Sequence, residues 1–126
     1  MPARLDHVTL VASDLDRSAA FLDGVLSAAG LERVVAYQDF EDEDEVGEEA
    51  VGYGTGEDVV LWLVAGRRPT HAAHVVFQVT DAAAVDAVAA AGGGVARARE
   101  HDRPGYYGTT VTDPDGNGIE VYALRR

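Results

Sequence analysis

An internal repeat is the feature that most constrains how this chain can fold. Residues 7–14 read His-Val-Thr-Leu-Val-Ala-Ser-Asp, and residues 74–81 read His-Val-Val-Phe-Gln-Val-Thr-Asp. Each copy is an apolar strand that begins at a histidine and ends in Ser-Asp or Thr-Asp. Self-similarity of this kind indicates that one supersecondary unit occurs twice in the chain.

A helix is predicted directly after each copy of the repeat. Ser13 and Thr80 are suitable N-cap residues, and the neighbouring aspartates favour the positive end of a helix dipole. One apolar face of the first helix is formed by residues spaced three and four apart: Leu15, Ala19, Leu22, Leu26 and Ala29. The second helix is rich in alanine and is expected to stop at the glycines of residues 92–94.

Three strand-like runs follow each helix. They span 31–38, 48–54 and 58–65 in the first half, and 95–101, 105–112 and 118–124 in the second. The turn sequence of residues 113–118, Asp-Pro-Asp-Gly-Asn-Gly, predicts a hairpin between the last two runs. Residues 66–70 read as a linker, so the chain is predicted to be one domain, residues 1–126, composed of module 1–65 and module 71–126. The fold class is α+β, with two βαβββ modules.

Composition and charge narrow the range of functions. The chain of 126 residues has no cysteine, which excludes disulfides, thiolate metal sites and cysteine nucleophiles. A net charge of −12 argues against binding to nucleic acid. No apolar run is long enough for a membrane span, and the N-terminal residues lack a signal-peptide pattern, so a cytoplasmic protein without membrane contact is expected.

Much of the negative charge lies in the acidic run of residues 39–49. This run lacks the alternating ligands and the central glycine of an EF-hand calcium loop. Blocks of like charge repel one another, so a solvated, mobile loop is expected here.

Strand alternation predicts which side chains face away from the helices. On that face the sequence places His7, His74 and Glu120, each flanked by apolar neighbours. Two imidazoles and one carboxylate from separate strands form a ligand set that suits a divalent transition metal with open coordination positions. Fe, Mn, Ni, Co and Zn all remain candidates for one bound ion. Glu120 is also the candidate catalytic residue.

Other residues on or near this face are candidates for contacts with a small-molecule substrate. They are Thr9, Trp62, Gln78, Tyr106 and Tyr122. Aromatic residues in such positions usually contribute buried area to a pocket wall. Arg97, Arg99 and Arg103 are expected to be solvated arginines at a strand edge rather than an anion site.

The chain resembles the vicinal oxygen chelate superfamily, which includes glyoxalase I, extradiol dioxygenases, fosfomycin-resistance enzymes and bleomycin-resistance proteins. The residues that carry the resemblance are Leu5 to Leu10, Ala73 to Phe77 and the segment Asp113 to Val121. The resemblance implies a cupped mixed sheet around a central cavity, which holds one metal ion. It also implies a homodimer in which a site can take ligands from both chains, so that His7 would join His74 and Glu120 of the partner.

The chain departs from glyoxalase I at one position that the resemblance assigns to a metal ligand. Where glyoxalase I has a fourth ligand, a glutamate, this chain has Trp62. A site with three protein ligands is similar to those of extradiol dioxygenases and fosfomycin-resistance enzymes, and Thr9 matches a threonine of the latter. The absence of lysine argues against fosfomycin as the substrate.

Two functions of different classes follow. The first is a metal-dependent enzyme whose substrate chelates the metal through vicinal oxygens, with dioxygenase, lyase or epoxide-opening chemistry rather than ordinary glyoxalase I activity. The alternative is a metal-free protein that sequesters a drug or ligand, as bleomycin-resistance proteins do. For that role an acidic surface and the pocket aromatics (Trp62, Tyr106, Tyr107, Tyr122) would suit a cationic, planar molecule.

Overall fold

The computed structural model of the protein describes residues 2–37 and 49–125. The first module contains β1 (Val8–Ala12), α1 (Leu15–Ala28), β2 (Glu32–Tyr37), β3 (Ala50–Thr55) and β4 (Asp58–Ala65). The second contains β5 (His74–Gln78), α2 (Ala82–Gly92), β6 (Arg97–Ala98), β7 (Tyr106–Thr112) and β8 (Gly118–Leu124). The two βαβββ modules predicted from the repeat are therefore confirmed.

Each module forms its own four-stranded mixed sheet. The strand order is β1-β4-β3-β2 in the first sheet and β5-β8-β7-β6 in the second. In both, the first strand of the module pairs in parallel with the last, and the remaining pairs are antiparallel. The repeat in the sequence is thus a repeat in topology.

The hydrophobic core lies on the helix side of both sheets. The alternating residues Leu61 and Leu63 of β4, and Ile119 and Val121 of β8, are fully buried there. Helices α1 and α2 pack against each other, and buried residues of both modules form one cluster. The helix sides of the two sheets therefore turn toward a common interior. We call the opposite side of each sheet, which bears His7 in the first module and His74 in the second, its open face.

The local boundaries correct several details of the sequence prediction. The N-caps are Asp14 and Asp81, one residue later than expected, and each side chain accepts a hydrogen bond from the backbone N–H three residues on. Ser13 instead bonds to Asp115 of the second module. The sixth strand is far shorter than the predicted run of 95–101, because only Arg97 and Ala98 pair with β7 as a strand, and one further backbone bond joins Arg99 N–H to the Tyr106 carbonyl.

Two other predictions concern the acidic run and the absence of a membrane span. Residues 39–48 of the acidic run lie outside the described residues, and only Glu49 of that run falls within them. Among the residues that the structure describes, no helix is long and apolar enough to cross a membrane.

Candidate metal centre

The open face of the second sheet brings together two of the three predicted metal ligands. The parallel register of β5 and β8 pairs His74 with Gly118 and Val76 with Glu120, so the two predicted ligand side chains lie on adjacent strands. His74 Nε2 lies 3.2 Å from Glu120 Oε1. The His74 side chain is 56% exposed and that of Glu120 is 19% exposed. The imidazole is therefore accessible, while the carboxylate is held against the sheet.

Tyr106 fixes the second oxygen of that carboxylate. Its hydroxyl donates a hydrogen bond of 2.6 Å to Glu120 Oε2. Burial, together with the hydrogen bond to Glu120, raises the pKa of Tyr106 to about 12. Tyr106 therefore keeps its proton at neutral pH and remains a hydrogen-bond donor.

Two glycines leave the room that these side chains occupy. A Cβ atom at Gly108 would lie 2.5 Å from the Tyr106 hydroxyl, and one at Gly118 would lie 3.2 Å from Cδ2 of the His74 ring. Any side chain at Gly108 would have to displace Tyr106 from the position in which it reaches Glu120. The glycines on this face thus serve the site directly.

A second group of polar side chains continues the same face. The rings of Tyr106 and Tyr122 stack with centroids 5.2 Å apart. The Tyr122 hydroxyl donates to Gln78 Oε1 at 3.3 Å and accepts from Arg103 Nη1 at 3.1 Å. The second open face is therefore one connected network that runs from His74 to Arg103.

The first open face carries His7, away from that network. His7 Nδ1 lies 2.7 Å from Asp6 Oδ2 and is hydrogen-bonded to it. An ionised carboxylate can only accept, so Nδ1 carries the proton of this bond, and in the neutral imidazole Nε2 is then the nitrogen with a free lone pair. Because metal-binding histidines commonly bond a carboxylate through their other nitrogen, the Asp6–His7 pair has the form of a ligand with its orienting partner.

A groove of about 590 Å³ opens beside His7. Trp62 forms part of its wall, and three carboxylates, those of Asp6, Glu57 and Asp58, also line it. Arg4 is the cation of this lining. Thr9 is exposed and pairs in register with Trp62 on the adjacent strand. The first face thus offers a spacious, acidic surface with one aromatic wall.

Strand register makes Trp62 the counterpart of Glu120. In the first sheet Val8 pairs with Leu61 and Thr9 with Trp62, and in the second Val75 pairs with Ile119 and Val76 with Glu120. The two modules therefore place a tryptophan and a glutamate at equivalent points of their last strands. This is the position at which the resemblance to glyoxalase I predicts a glutamate ligand and this chain has Trp62.

The sequence pattern predicted that His7, His74 and Glu120 share one surface, and the structure divides that surface between two sheets. No strand of the first sheet pairs with a strand of the second in the described parts of the chain. Within the same residues, no group of three or more His, Cys, Asp or Glu side chains could hold a metal ion. One chain by itself therefore presents a two-residue half-site on one face and His7 on another.

The hairpin between β7 and β8 positions Glu120 and ties the second module to the first. The Asp113 carboxylate accepts bonds from the backbone of Asp115 and Asn117, and the Asn117 side chain accepts from Ala73 N–H just before β5. The buried Asp115 carboxylate accepts from the Ser13 N–H at 3.0 Å and from its hydroxyl. Burial alone would raise the pKa of Asp115, but the bonds from Ser13 and the charge of Arg68 outweigh it and lower that pKa.

Sequence reasoning did not identify some of the hydrogen-bond partners of the candidate residues. Tyr106 stays a predicted substrate contact, and the structure adds that its hydroxyl is bonded to Glu120. Tyr107 points to the other side of the sheet and donates to Asp86 of α2. Asp6 was not singled out, although its place directly before a candidate histidine ligand was a usable signal.

Comparisons with known proteins give a consistent family and fold. A model of the Glyoxalase/Bleomycin resistance protein/Dioxygenase superfamily matches residues 4–121. A search of curated protein sequences found no match.

Among solved structures, the fosfomycin resistance protein FosX of Mesorhizobium loti is 23% identical, with 97% of this chain and 92% of that chain covered and a TM-score of 0.66. FosX of Listeria monocytogenes, in complex with Mn(II) and sulfate, is 18% identical, with 98% and 93% covered and a TM-score of 0.64. The trypanothione-dependent glyoxalase I of Leishmania major is 24% identical, with 98% and 87% covered and a TM-score of 0.62. At these identities the similarity establishes a shared fold.

Proposed function

The chain belongs to the Glyoxalase/Bleomycin resistance protein/Dioxygenase superfamily, and on that premise we propose that it is a metal-dependent enzyme whose small substrate chelates the metal through two adjacent oxygens. The observation that carries the proposal is the contact between His74 Nε2 and Glu120 Oε1 at 3.2 Å on an open sheet face. Imidazole and carboxylate together suit a divalent transition ion. The similar FosX of Listeria monocytogenes holds Mn(II), which supports a divalent metal for this chain.

The third ligand is His7 of a second copy of the chain. His7 lies on the first open face, its Nδ1 is bonded to Asp6, and its Nε2 is left for a metal. In a homodimer with twofold symmetry, the first face of each chain can cover the second face of its partner, which creates two equivalent sites. Val76 supports such a cover, because this apolar residue is 47% exposed on the second open face beside Glu120.

The residues of the chain divide the work of the site. His74, Glu120 and the partner's His7 would hold the ion. When bound, the ion would act as a Lewis acid toward the two substrate oxygens. Tyr106 holds the Glu120 carboxylate in place through its hydroxyl. Thr9, Trp62, Gln78 and Tyr122 are the proposed substrate contacts, and the groove beside His7 is the space into which the substrate extends. Three protein ligands, rather than four, favour dioxygenase, lyase or epoxide-opening chemistry.

Mixing two variants that each lack bound metal tests both the ligand set and the shared site. His7→Ala and His74→Ala chains would each lose bound metal when purified alone. After co-refolding, a heterodimer regains one complete site of its two, so about a quarter of the wild-type metal content is expected from random pairing. Elemental analysis after gel filtration measures this.

Two outcomes would overturn parts of the proposal. Unchanged metal content in either single variant removes that histidine from the ligand set. Metal loss in both variants without recovery in the mixture, while a heterodimer is demonstrated by differential tagging, shows that the sites are not shared between chains.

Binding of a cationic ligand without metal is the second candidate function. It is favoured by the three carboxylates and the Trp62 wall of the groove beside His7. Calorimetric titration with a planar cationic drug, in EDTA, separates the candidates. Tight binding by protein that takes up no Mn(II), Fe(II), Ni(II), Co(II) or Zn(II) would support the binder over the enzyme.

A further inference from the structure

The open face of the second sheet continues beyond the candidate metal ligands. The parallel register of β5 and β8 places Val76 beside Glu120, and it places Gln78 beside Tyr122. Two residues of a strand rise by about 7 Å, so the second pair lies about that far along the strands from the first. Gln78 and Tyr122 are therefore the next polar position of this face.

Arg103 reaches this end of the face from the loop between β6 and β7. Its Nη1 donates to the Tyr122 hydroxyl at 3.1 Å, and its guanidinium carbon lies 5.8 Å from the centre of the Tyr122 ring. Its backbone is also bonded, since the N–H donates to the Arg99 carbonyl and the carbonyl accepts from Tyr106 N–H. Other residues therefore position both the backbone and the side chain of this exposed arginine.

The charge of Arg103 is not neutralised by a carboxylate of the described chain. The acidic residues of the same loop have other partners, because Glu100 accepts from Gly105 N–H at 2.8 Å and Asp102 pairs with Arg99. None of the ion pairs among the described residues includes Arg103. A guanidinium has five N–H donors in a planar fork, and the tyrosine hydroxyl takes one of them. The other donors are available to an anionic ligand.

Gln78 adds donors at the same point. The Tyr122 hydroxyl accepts from Arg103 and donates its own proton to Gln78 Oε1 at 3.3 Å. With that oxygen engaged, the free end of the Gln78 amide is its NH2 group, which can only donate. Arg103 and Gln78 thus meet at one hydroxyl, and the groups that they leave free are donors. Such a set recognises a ligand group that only accepts, and the planar guanidinium fork matches a carboxylate.

Val76 separates these donors from the candidate metal ligands. It is apolar and 47% exposed, and it lies between His74 and Gln78 on the same face of β5. A molecule that reaches from the metal site to Arg103 would pass over this apolar surface. The face therefore suits a ligand with chelating oxygens at one end, a carboxylate at the other and an apolar spacer between them.

We propose that Arg103, Tyr122 and Gln78 form a binding site for a carboxylate group of the substrate. Assignment of this carboxylate to the substrate rests on the proposed metal-dependent function, whereas binding of a carboxylate at Arg103 requires no metal. The substrate class is then a carboxylic acid whose two adjacent oxygens chelate the metal at the far end of an apolar spacer. The expectation that Arg103 is merely solvated is thereby revised.

A titration of metal-free protein, in EDTA, tests the carboxylate site by itself. The probe is hydrocinnamate, which has an apolar ring and a carboxylate but no vicinal oxygens, and its uncharged amide is the matched control ligand. In NMR spectra of the arginine side chains, the Arg103 Nε–H signal should shift saturably with hydrocinnamate and not with the amide. Absence of a saturable shift below about 10 mM would overturn the proposal.

Two arginine variants separate the site from the effect of net charge. Arg125 also lies against a tyrosine, with its guanidinium carbon 4.3 Å from the centre of the Tyr107 ring, but that tyrosine bonds to Asp86 of α2 and not to the open face. In calorimetric titrations, Arg103→Gln should weaken hydrocinnamate binding about tenfold, as the loss of a charge-assisted hydrogen bond implies. Arg125→Gln should bind the probe as the wild type does. Equal weakening by both variants would overturn the proposal.

A variant of Gln78 tests the second group of donors without changing the size of the side chain. Gln78→Glu should abolish hydrocinnamate binding, because the new carboxylate would repel the probe and compete with it for Arg103. The same calorimetric titration measures this. Binding equal to that of the wild type would overturn the role assigned to Gln78.

Dihydrocaffeate joins the two ends of the proposed substrate, because its catechol oxygens chelate a metal and its side chain ends in a carboxylate. Anaerobic Mn(II)-loaded protein should bind it about tenfold more tightly than its amide, and Arg103→Gln should remove that preference without changing the affinity for the amide. Equal metal-dependent affinities for the acid and the amide would overturn the carboxylate site and leave the proposed metal function intact. Binding of hydrocinnamate, together with failure of both catechols to bind, would refute the proposed metal function and with it the assignment of the carboxylate to a substrate.

Discussion

The two open faces are built on the same topology and carry different chemistry. On the second face, His74, Glu120, Tyr106 and Tyr122 form one connected network. On the first face, His7 is bonded to its neighbour Asp6 and adjoins a wide acidic groove. Equivalent register positions hold Glu120 in one module and Trp62 in the other.

This difference shows how a repeated module can present two unlike surfaces. In the proposed function the second face would hold the cation, since its carboxylate is bonded to a tyrosine and adjoins an imidazole. The first face would enclose the substrate, because a tryptophan takes the place of the carboxylate. The proposed dimer joins one face of each kind.

The largest effect is expected from removing the carboxylate that distinguishes the second face. Glu120→Ala should lower metal affinity by more than about 100-fold, because even residues that only support a metal ligand are worth 10- to 100-fold. Glu57→Ala, which removes a carboxylate from the groove of the first face, is the control and should retain the metal. Equal losses in the two variants would remove the distinction between the faces. Competitive titration with a fluorescent chelator measures both affinities.

The hairpins that precede the last strands of the two modules should also differ in stability. Asp115→Ala leaves the Ser13 N–H and hydroxyl without their acceptor, so the free energy of unfolding should fall by about 1–3 kcal/mol. The same Glu57→Ala variant changes the exposed hairpin between β3 and β4, and its effect should stay within about 0.5 kcal/mol. Urea unfolding followed by circular dichroism provides the comparison. A value for Asp115→Ala as small as that of the control would contradict the structural role of the link.

A tyrosine on each side of β7 allows a finer test of the second face. Tyr106→Phe removes the hydroxyl that holds Glu120 Oε2, and metal affinity should fall about tenfold. Tyr107→Phe removes the neighbouring hydroxyl, which bonds to Asp86 of α2, and should leave metal affinity unchanged. The same chelator competition measures both. If Tyr107→Phe weakened the metal as much as Tyr106→Phe, the effect would be one of general stability.

The smallest effect is a pH dependence that belongs to the second hairpin alone. The pKa of Asp115 is lower in the folded protein than its ordinary value of about 4. The associated stabilisation is therefore complete above pH 4 and is lost as the pH falls through the lower pKa of the folded state. The stability difference between wild type and Asp115→Asn should be constant above pH 4 and should shrink below it. Urea unfolding across the acid range measures this, and a difference that stays constant there would contradict the assignment.

The sequence was sufficient for the modules and for the orientation of their strands. Alternation placed Leu61 and Leu63 inside, and the predicted limits of 58–65 and 118–124 agree with β4 and β8. It was insufficient for the N-caps, because Ser13 is engaged by Asp115, which is distant in the sequence. Alternation also could not show that His7 and His74 stand on different sheets, since it specifies a face of a strand and not the neighbours of that face.

The bond between Ser13 and Asp115 has a consequence for the independence of the two modules. A second module standing alone would lack the partner of its buried carboxylate, which is supplied by the turn that leads into α1. Because the two modules share this bond and one core, we expect neither to fold as an independent unit. Substitutions on the outward surfaces can therefore change what the protein recognises without disturbing the contacts that join its two halves.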